Sequence, residues 1–500
     1  MKDDRRPVLV GAAQLVQRDA ELAELLSPLD MLEAVARGAA EDAGVGPRLL
    51  DQVDTLAAVD GVLWRPKNAP AMLAERLGSK PRRAWVTAIG GEMPLVLVNH
   101  LAREIAAGRI GVALVAGAHN LRSYRRFQKA RQRMDWPKSD AADAERIGEN
   151  RRGSSKLEVD YGLRMPTEVY PMFENALRAR RGLDLVAHSR RIGQLMSRFS
   201  KVAAGNPHAW FPVERSAEEI ATATDDNRMI AFPYTKYMNA VMETDQAAAL
   251  LLTSAATARE LGVPEDRMVH WWGGASAIEE KWYPSERLSL SESSAMRRAS
   301  SEALAEAGVD VAGLTHFDLY SCFPVAVELG IEALGLAEDD PRGFTVTGGL
   351  PYAGGPGNNY TVHALASMLE RLREQPGGTG LVTGNGWYLT KHAATVLASA
   401  PCEADSWQEQ AVPELGPEPG EPAATAPARG EGRLEAYTVL YDRDGAPVRG
   451  IVLGTSSEGR RFLANTPEDS ALLEDFAAQE EVGRAGRLRH QDGVNVFEPS

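Results

Sequence analysis

One stretch of the sequence determines the kind of sheet that this chain can build. Residues 84–120 are AWVTAIGGEMPLVLVNHLAREIAAGRIGVALVAGAHN, which predicts a strand, a Gly-Gly turn, a helix, a glycine and a second strand. Two strands joined through a helix lie parallel in one sheet, with helices packed on its faces. The same order of elements recurs weakly at 315–349. The sequence therefore predicts an α/β protein made of two similar halves, each built on a βαβαβ pattern.

A second glycine-rich stretch, TGGLPYAGGPGNNY, occupies residues 347–360. It follows the β-type run FTVTGG and precedes a segment with a helical spacing of apolar residues, so we expect a strand before it and a helix after it. Glycines let the backbone approach a ligand closely, and the start of a helix offers unpaired N–H groups. This stretch is a candidate binding loop.

The other segments continue the alternation of strands and helices. We expect strands at 7–14, 53–64, 268–277 and 381–389, helices at 27–45 and 289–309, and a strand followed by a helix at 242–262 and 316–336. Residues 121–228 are instead rich in arginine and poor in strand signals, which indicates a helical insertion lying over the sheet. Its basic clusters are either a solvated helix face or counter-charges for an anionic ligand such as a nucleotide phosphate.

The composition changes after residue 402. Residues 403–430 are dominated by Pro, Glu, Ala and Gly, which predicts an extended linker. Residues 431–500 alternate apolar and polar positions, with DRDG and SSEG as hairpin turns, and predict a small separate β-rich domain. The two halves before the linker are expected to occupy residues 1–260 and 261–402.

Composition and charge argue against several classes of protein. The 500 residues carry a net charge of −14, which disfavours nucleic acid or an anionic membrane as the main partner. Two cysteines give neither a disulfide framework nor a zinc signature, so we expect no metal. We see no signal-peptide pattern and no apolar run of the roughly 20 residues that span a bilayer. These observations predict a soluble cytoplasmic protein.

Several motifs, taken in chain order, resemble those of the thiolase superfamily and its acetyl-CoA acetyltransferases. The matching segments are VLVGAAQ (the opening strand), DQAAALLL (the DGAAA segment, with Gln246 in place of its glycine), YSCF (the NEAF or HDCF motif), GGLPYAGGPGN (the loop containing GHP) and VTGNG (the CxGxG loop). With its C-terminal domain the chain is most similar to the thiolase-like proteins of type 1. The resemblance implies a two-half core, a helical loop insertion and an OB-like five-stranded barrel at the C-terminus.

The resemblance also implies which residues stand at the family's catalytic positions. The nucleophilic cysteine falls on Gly91, the activating histidine on Gly355, the second cysteine on Val382 and the water-holding Asn or His on Tyr320. Thiolysis needs a thiolate with a base beside it, and glycine and valine supply neither. The resemblance thus implies a protein that binds CoA or an acyl-CoA, holds no covalent cofactor and lacks thiolase turnover.

The candidate pocket extends from these positions to their polar and glycine neighbours. Its residues are Gly90, Gly91, Tyr320, Cys322, Gly354, Gly355, Asn358 and Asn385. Tyr320 either donates a hydrogen bond to a thioester carbonyl or fills the emptied site. Cys322 is either a substitute nucleophile or a small core residue.

The remaining polar residues near the pocket have simpler interpretations. The asparagines at 358, 359 and 385 either cradle a carbonyl or a water, or serve turns that need φ > 0. We expect His363 and His392 to be structural, and Glu92 to cap the helix that it begins.

Three functions remain open on the sequence. The first is a CoA-thioester-binding protein of lipid metabolism without thiolase turnover. The second is an active acyltransferase, Claisen-type or hydrolytic, in which Cys322 or His363 takes over the chemistry. The third is a non-catalytic subunit that pairs with an active thiolase through residues 431–500.

Overall fold

The computed structural model describes residues 4–139, 141–403, 407, 412, 414–420, 424 and 427–500. The first half begins with β1 (Pro7–Val16), α1 (Pro28–Asp42), α2 (Pro47–Asp51), β2 (Thr55–Ala58), α3 (Ala69–Leu77), β3 (Arg83–Thr87), α4 (Met93–Ala106) and β4 (Val112–Asn120). The insertion follows with α5 (Leu121–Ala130), β5 (Glu145–Ile147), α6 (Lys156–Asp160), α7 (Pro166–Arg180), α8 (Leu185–Ala204), α9 (Ala217–Ala221), β6 (Met229–Ala231) and β7 (Tyr234–Thr235).

The chain then returns to the sheet and ends in the barrel. The returning elements are β8 (Asp245–Ser254), α10 (Ala255–Leu261), β9 (Val269–Ile278), α11 (Ser294–Ala307), β10 (His316–Asp318), α12 (Pro324–Leu334), α13 (Tyr360–Glu374), β11 (Thr379–Gly386) and β12 (Lys391–Ala398). The barrel consists of β13 (Gly430–Tyr441), β14 (Pro447–Ser456), β15 (Arg461–Asn465), α14 (Ser470–Ala478), β16 (Ala485–Gln491) and β17 (Val494–Pro499).

The ten-stranded sheet repeats one strand order in two halves. Its order is β10-β11-β12-β9 followed by β1-β8-β4-β2-β3-β5. Within the sheet β10, β11, β12 and β9 pair in the same directions as β2, β4, β8 and β1. The predicted two-half core is therefore confirmed. The predicted alignment of the two halves is wrong. It made the segment ending at residue 349 the equivalent of β4, whereas in the structure β11 corresponds to β4.

The strand expected at FTVTGG does not form. Residues 344–349 take turn and irregular conformations around the buried carboxylate of Asp318. That carboxylate accepts hydrogen bonds from the N–H groups of Val346 and Thr347 at 3.0 and 3.1 Å, and one from the hydroxyl of Thr345. A backbone N–H that donates to a side chain is not available to pair with a neighbouring strand. The strand expected at 53–64 is also shorter, because β2 ends at Ala58.

Helices α4 and α13 lie between the two halves. Helix α4 contacts β8 of the first half together with β9 and β12 of the second, and α13 contacts β1, β8 and β11. Most side chains of both helices are buried, including every residue from 93 to 99 and from 360 to 369. Because seven or more consecutive residues lie on every side of a helix, these segments are covered on all sides. This central position brings the two helix starts together.

The C-terminal domain is the predicted OB-type barrel. Its strands pair in the closed order β13-β14-β15-β17-β16 and back to β13, with α14 between the third and fourth strands. Strand β6 of the insertion extends this sheet through a pair between Ala231 and Leu440. The barrel face of β14 and β15 also packs on the insertion, where Leu453 and Leu463 lie beside Phe173.

The predicted linker lies partly outside the described residues. Among its described residues, the Trp407 indole N–H donates to the Trp272 carbonyl at 3.0 Å, and its ring lies 5.5 Å from that of Trp271. Ala424 is buried. The described part of the linker is thus attached to the surface of the core. None of the helices in the described ranges is both long enough and apolar enough to cross a membrane.

Candidate functional site

The starts of α4 and α13 are joined by hydrogen bonds at the centre of the molecule. The Gly90 N–H donates to Asn358 Oδ1 at 3.1 Å, and the Thr361 hydroxyl donates to the Gly91 carbonyl at 2.9 Å. Asn358 Nδ2 in turn donates to the Asp60 carbonyl at 2.8 Å. The helix-start groups that the sequence suggested as ligand donors are therefore partly used within the protein.

Gly91 lies directly against Tyr320. A Cβ atom added to Gly91 would overlap the Tyr320 hydroxyl and come within 2.7 Å of the Asn385 carbonyl oxygen. The Tyr320 N–H is held by the Thr383 hydroxyl at 2.9 Å, and its ring packs edge-on against Tyr360 at 5.5 Å. Burial raises the pKa of Tyr320, so the phenol is neutral. The phenol fills the space in which a side chain at position 91 would lie.

The structure does not gather all the predicted positions into one open pocket. Gly355 N–H donates to the Val241 carbonyl at 2.8 Å, and a Cβ on Gly355 would lie 3.2 Å from that oxygen. Val382 is fully buried within β11, and Gly354 lies against the side chain of Gln246. Gly91, Tyr320 and the backbone of Asn385 are brought together.

Cys322 lies in a closed network of polar and aromatic groups. Asn385 Nδ2 donates to the Tyr170 hydroxyl at 2.8 Å and approaches the Cys322 sulfur at 3.8 Å. The Tyr170 hydroxyl donates to the Trp387 carbonyl at 2.7 Å, and its ring stacks on Phe323 at 4.3 Å. Burial raises the pKa of the Cys322 thiol to about 12, so the sulfur is a thiol at neutral pH.

Glu92 forms a buried ion pair that the sequence analysis missed. The predicted cap is wrong, because the Glu92 side chain accepts no capping hydrogen bond from α4. Instead Glu92 Oε1 lies 2.6 Å from Lys391 Nζ, which also donates to the Ile89 carbonyl at 2.8 Å. A Cβ on Gly90 or Gly386 would overlap the Glu92 carboxylate, so these glycines leave the room that it occupies. Nothing local marks Lys391 as its partner.

The ion pair borders a small cavity of about 20 Å³, and Ser276 and His392 also line it. Burial raises the pKa of Glu92, and Lys391 opposes that rise. His392 Nε2 lies 3.2 Å from the Ser293 hydroxyl, and burial lowers the pKa of His392 to about 4. A cavity of this volume holds about one water molecule.

The basic residues of the insertion divide into two groups. Arg181, which directly follows α7, and Arg191 of α8 donate to the two oxygens of Glu328 on α12 at 2.7 and 2.8 Å. Arg178 pairs with Glu480 of the barrel. These arginines serve neither as a solvated face nor as free counter-charges. Near the end of α5, by contrast, Lys129, Arg131 and Arg133 are exposed.

Two carboxylates and one imidazole also meet between α7, α8 and α12. Glu174, His188 and Glu328 place possible metal-ligand atoms within 4.8 Å of one another. His188 Nε2 lies 2.7 Å from Glu174 Oε1, and Tyr234 donates to the other Glu174 oxygen at 2.5 Å. Because arginines already bind both oxygens of Glu328, the group is an ion-pair network that fastens the insertion to α12.

Comparison with solved structures shows which class of protein this architecture defines. The acetyl-CoA acetyltransferase from Syntrophomonas wolfei superposes with a TM-score of 0.56 at 16% identity, over 79% of this chain and 99% of that one. At that identity the likeness shows the fold alone. The class is that of proteins with the thiolase fold, as the sequence motifs predicted.

Further comparisons narrow the class to one family. A monomeric SCP2-thiolase-like protein type 1 from Mycobacterium smegmatis matches with a TM-score of 0.83 and 32% identity over 100% of both chains. Residues 412–493 match the model of the thiolase-like protein type 1 additional C-terminal domain. The chain belongs to the SCP2-thiolase-like proteins of type 1.

One curated relative extends the comparison to named activities. The 17-hydroxy-3-oxo-4-pregnene-20-carboxyl-CoA lyase of Mycobacterium tuberculosis is 31% identical over 174 residues, which cover 34% of this chain. The match spans 40% of the length of that relative. This partial match leaves the activity of the whole chain to be argued from its own site.

Proposed function

We propose that this protein binds CoA or an acyl-CoA and does not catalyse thiolysis. The reactive end of the ligand would lie near Gly91 and Tyr320, with Gly355 and Val382 at the other family positions. The observation that carries the absence of turnover is the contact between Tyr320 and Gly91, where a Cβ would overlap the phenol oxygen. No nucleophile can be carried at position 91 while Tyr320 keeps this place.

The neighbouring groups do not restore the lost chemistry. A thiol whose pKa is about 12 is almost entirely protonated at pH 7, which argues against Cys322 as a substitute nucleophile. Burial lowers the pKa of His363 to about 3, and its Nδ1 is bound to Gln14 Oε1 at 2.8 Å. The imidazole is neutral, buried in the core and hydrogen-bonded to Gln14. This enclosed position argues against the acyltransferase alternative in which His363 takes over the chemistry.

The ligand class rests on relatives and on charge. The relative from Mycobacterium tuberculosis described above is named for a carboxyl-CoA, which is a CoA thioester. The exposed Lys129, Arg131 and Arg133 offer positive charge on an otherwise acidic chain, and phosphate groups are suitable partners for them. We propose a role in lipid metabolism on the basis of this ligand class.

Calorimetric titration of the full chain with CoA and with acetyl-CoA tests the binding. We expect saturable binding of both ligands below about 1 mM, a common range for weak metabolite sites. A Tyr320→Ala variant opens space beside Gly91, so it should change the affinity for acetyl-CoA more than that for CoA. Tyr441→Ala, on the barrel, is the matched control and should change neither. No saturation with either ligand at millimolar concentration would refute the binding proposal.

A coupled assay of acetoacetyl-CoA cleavage tests the absence of turnover. We expect no cleavage above the rate without protein, while an active thiolase in the same buffer gives a clear signal. Cleavage that persists in repeated preparations and responds to Cys322→Ser would instead establish the acyltransferase alternative.

A further inference from the structure

A polar cavity of about 10 Å³ lies beneath the glycine-rich loop, apart from the contact between Gly91 and Tyr320. Strand β8 contributes Gln246 to its wall, α13 contributes His363, and the loop contributes Gly354. The other polar residues that line it are Gln14 of β1, the half-buried His208, Asn206, Thr347 and Tyr360. Gln246 and His363 are 2% and 4% exposed, so neither side chain reaches bulk solvent.

Gln246 presents an acceptor to this cavity. Its amide Nε2 donates to the Ala353 carbonyl at 3.0 Å, which fixes the orientation of the amide. The other end of the amide, Oε1, is buried without a hydrogen-bond partner among the described residues. Gly354 is the reason that the amide fits: its φ is +111°, and a Cβ there would overlap Gln246 Oε1.

His363 presents a second acceptor. Gln14 Nε2 donates to the Ser367 hydroxyl at 3.1 Å, which leaves Gln14 Oε1 to face His363 Nδ1 at 2.8 Å. Because that oxygen can only accept, Nδ1 carries the hydrogen and Nε2 carries a lone pair. No hydrogen-bond partner of Nε2 is found in the described ranges. Burial lowers the pKa of His363 to about 3, so the ring stays in this neutral form at physiological pH.

We infer that this cavity is a built binding site for one water molecule, which donates one hydrogen to Gln246 Oε1 and the other to His363 Nε2. Two acceptors cannot bond to each other, and buried polar groups of folded proteins almost always have a partner. The cavity has room for about one water molecule, and such a site needs at least two polar partners. An ammonium ion has suitable donors, but Arg18 places positive charge beside His208 and disfavours a cation.

This water connects β8, α13 and the glycine-rich loop. The hydrogen bonds between the starts of α4 and α13 do not make this connection. The water bridges β8 and α13 and lies beside Gly354, so it supports the loop at this residue. The site explains why an amide stands at position 246. The inference does not depend on CoA binding and goes beyond the proposed function.

A crystal structure of the full chain at about 2 Å resolution or better tests the inference directly. We expect one peak within hydrogen-bond distance of both Gln246 Oε1 and His363 Nε2. An empty cavity in well-defined density would overturn the assignment. Nitrogen NMR of His363 should also show the tautomer with hydrogen on Nδ1, and the opposite tautomer would equally contradict it.

A double-mutant cycle gives an independent test in solution. Gln246→Met and His363→Phe each remove one acceptor and leave the other unsatisfied, so each should lower the melting temperature. The double variant removes both, and we expect its melting temperature to fall by less than the sum of the two single shifts. Simple additivity would count against a shared water. A melting temperature that rises with ammonium chloride but not with sodium chloride would replace the water by an ammonium ion.

Discussion

At the scale of single residues, the glycines of the site serve to let other side chains in. Gly91 makes room for the Tyr320 phenol, and Gly90 and Gly386 make room for the Glu92 carboxylate. The sequence analysis placed Gly90 and Gly91 in a candidate ligand pocket. The structure fills the same spaces with the protein's own side chains. At these three positions the absence of a side chain accommodates a close neighbour, and the fold identifies that neighbour.

Replacing Gly91 by alanine tests this close contact. Because the new Cβ would overlap the Tyr320 hydroxyl, we expect Gly91→Ala to lower the free energy of unfolding by roughly 1–3 kcal/mol, the usual range for overpacking. Urea denaturation followed by circular dichroism measures the change. Gly420→Ala is the control, since nothing lies within 4 Å of that position, and it should be neutral within about 0.5 kcal/mol. Equal stability of the Gly91→Ala variant would show that Tyr320 moves aside freely.

At the scale of elements, the sequence predicted what periodicity and composition control. The order of strand, Gly-Gly turn and helix predicted in residues 84–120 located α4, and the alternation after residue 430 identified the barrel strands. It did not predict that residues 344–349 surround Asp318, because a single carboxylate far away in the sequence decides that conformation. The pairing of Glu92 with Lys391 was missed for the same reason. Local sequence patterns do not predict which distant side chain will bond to a polar group.

The ion-pair network between α7, α8 and α12 leads to a prediction about pH. Burial, followed by the charge of Glu174, raises the pKa of Glu328 from 4.5 to about 7. Between these values the folded state holds a proton that the unfolded state has released. This contribution to the free energy of unfolding is therefore complete below about pH 4.5 and falls as the pH rises through about 7. We expect a loss of about 3 kcal/mol across that window, since each pKa unit corresponds to about 1.4 kcal/mol.

Urea denaturation at several pH values, compared between wild type and Glu328→Gln, measures this contribution. The variant cannot titrate at position 328, so the difference between the two proteins should change across this window and level off above it. Glu332→Gln on the same helix is the control, because arginines lower the pKa of Glu332 and its contribution has the opposite sign. A difference that does not vary with pH would show that Arg181 and Arg191 keep Glu328 ionised throughout.

At the scale of the whole molecule, the barrel and the insertion share one structural unit. Strand β6 pairs with β13, Arg178 of α7 binds Glu480, and Asn465 Nδ2 donates to the Tyr161 carbonyl at 2.9 Å. The face formed by β14 and β15 is covered by the insertion, so a protein partner would have to meet the barrel through its remaining surface. The sequence predicted a separate domain because hairpin patterns reveal strands but not the surface on which they pack.

This shared unit predicts that the barrel and the insertion unfold together. Leu453 and Leu463 are buried at their contact, so Leu453→Asp places an unpaired charge there and should destabilise both parts by several kcal/mol. In calorimetry we expect one transition for the wild type, and for the variant one transition at lower temperature rather than an early, separate loss of the barrel. Val448→Asp, on the same strand but 45% exposed, is the control and should shift the transition little. Hydrogen exchange of α7 decides the point: if its amides remain protected in Leu453→Asp while those of the barrel exchange, the two parts are independent and the barrel does not support the insertion.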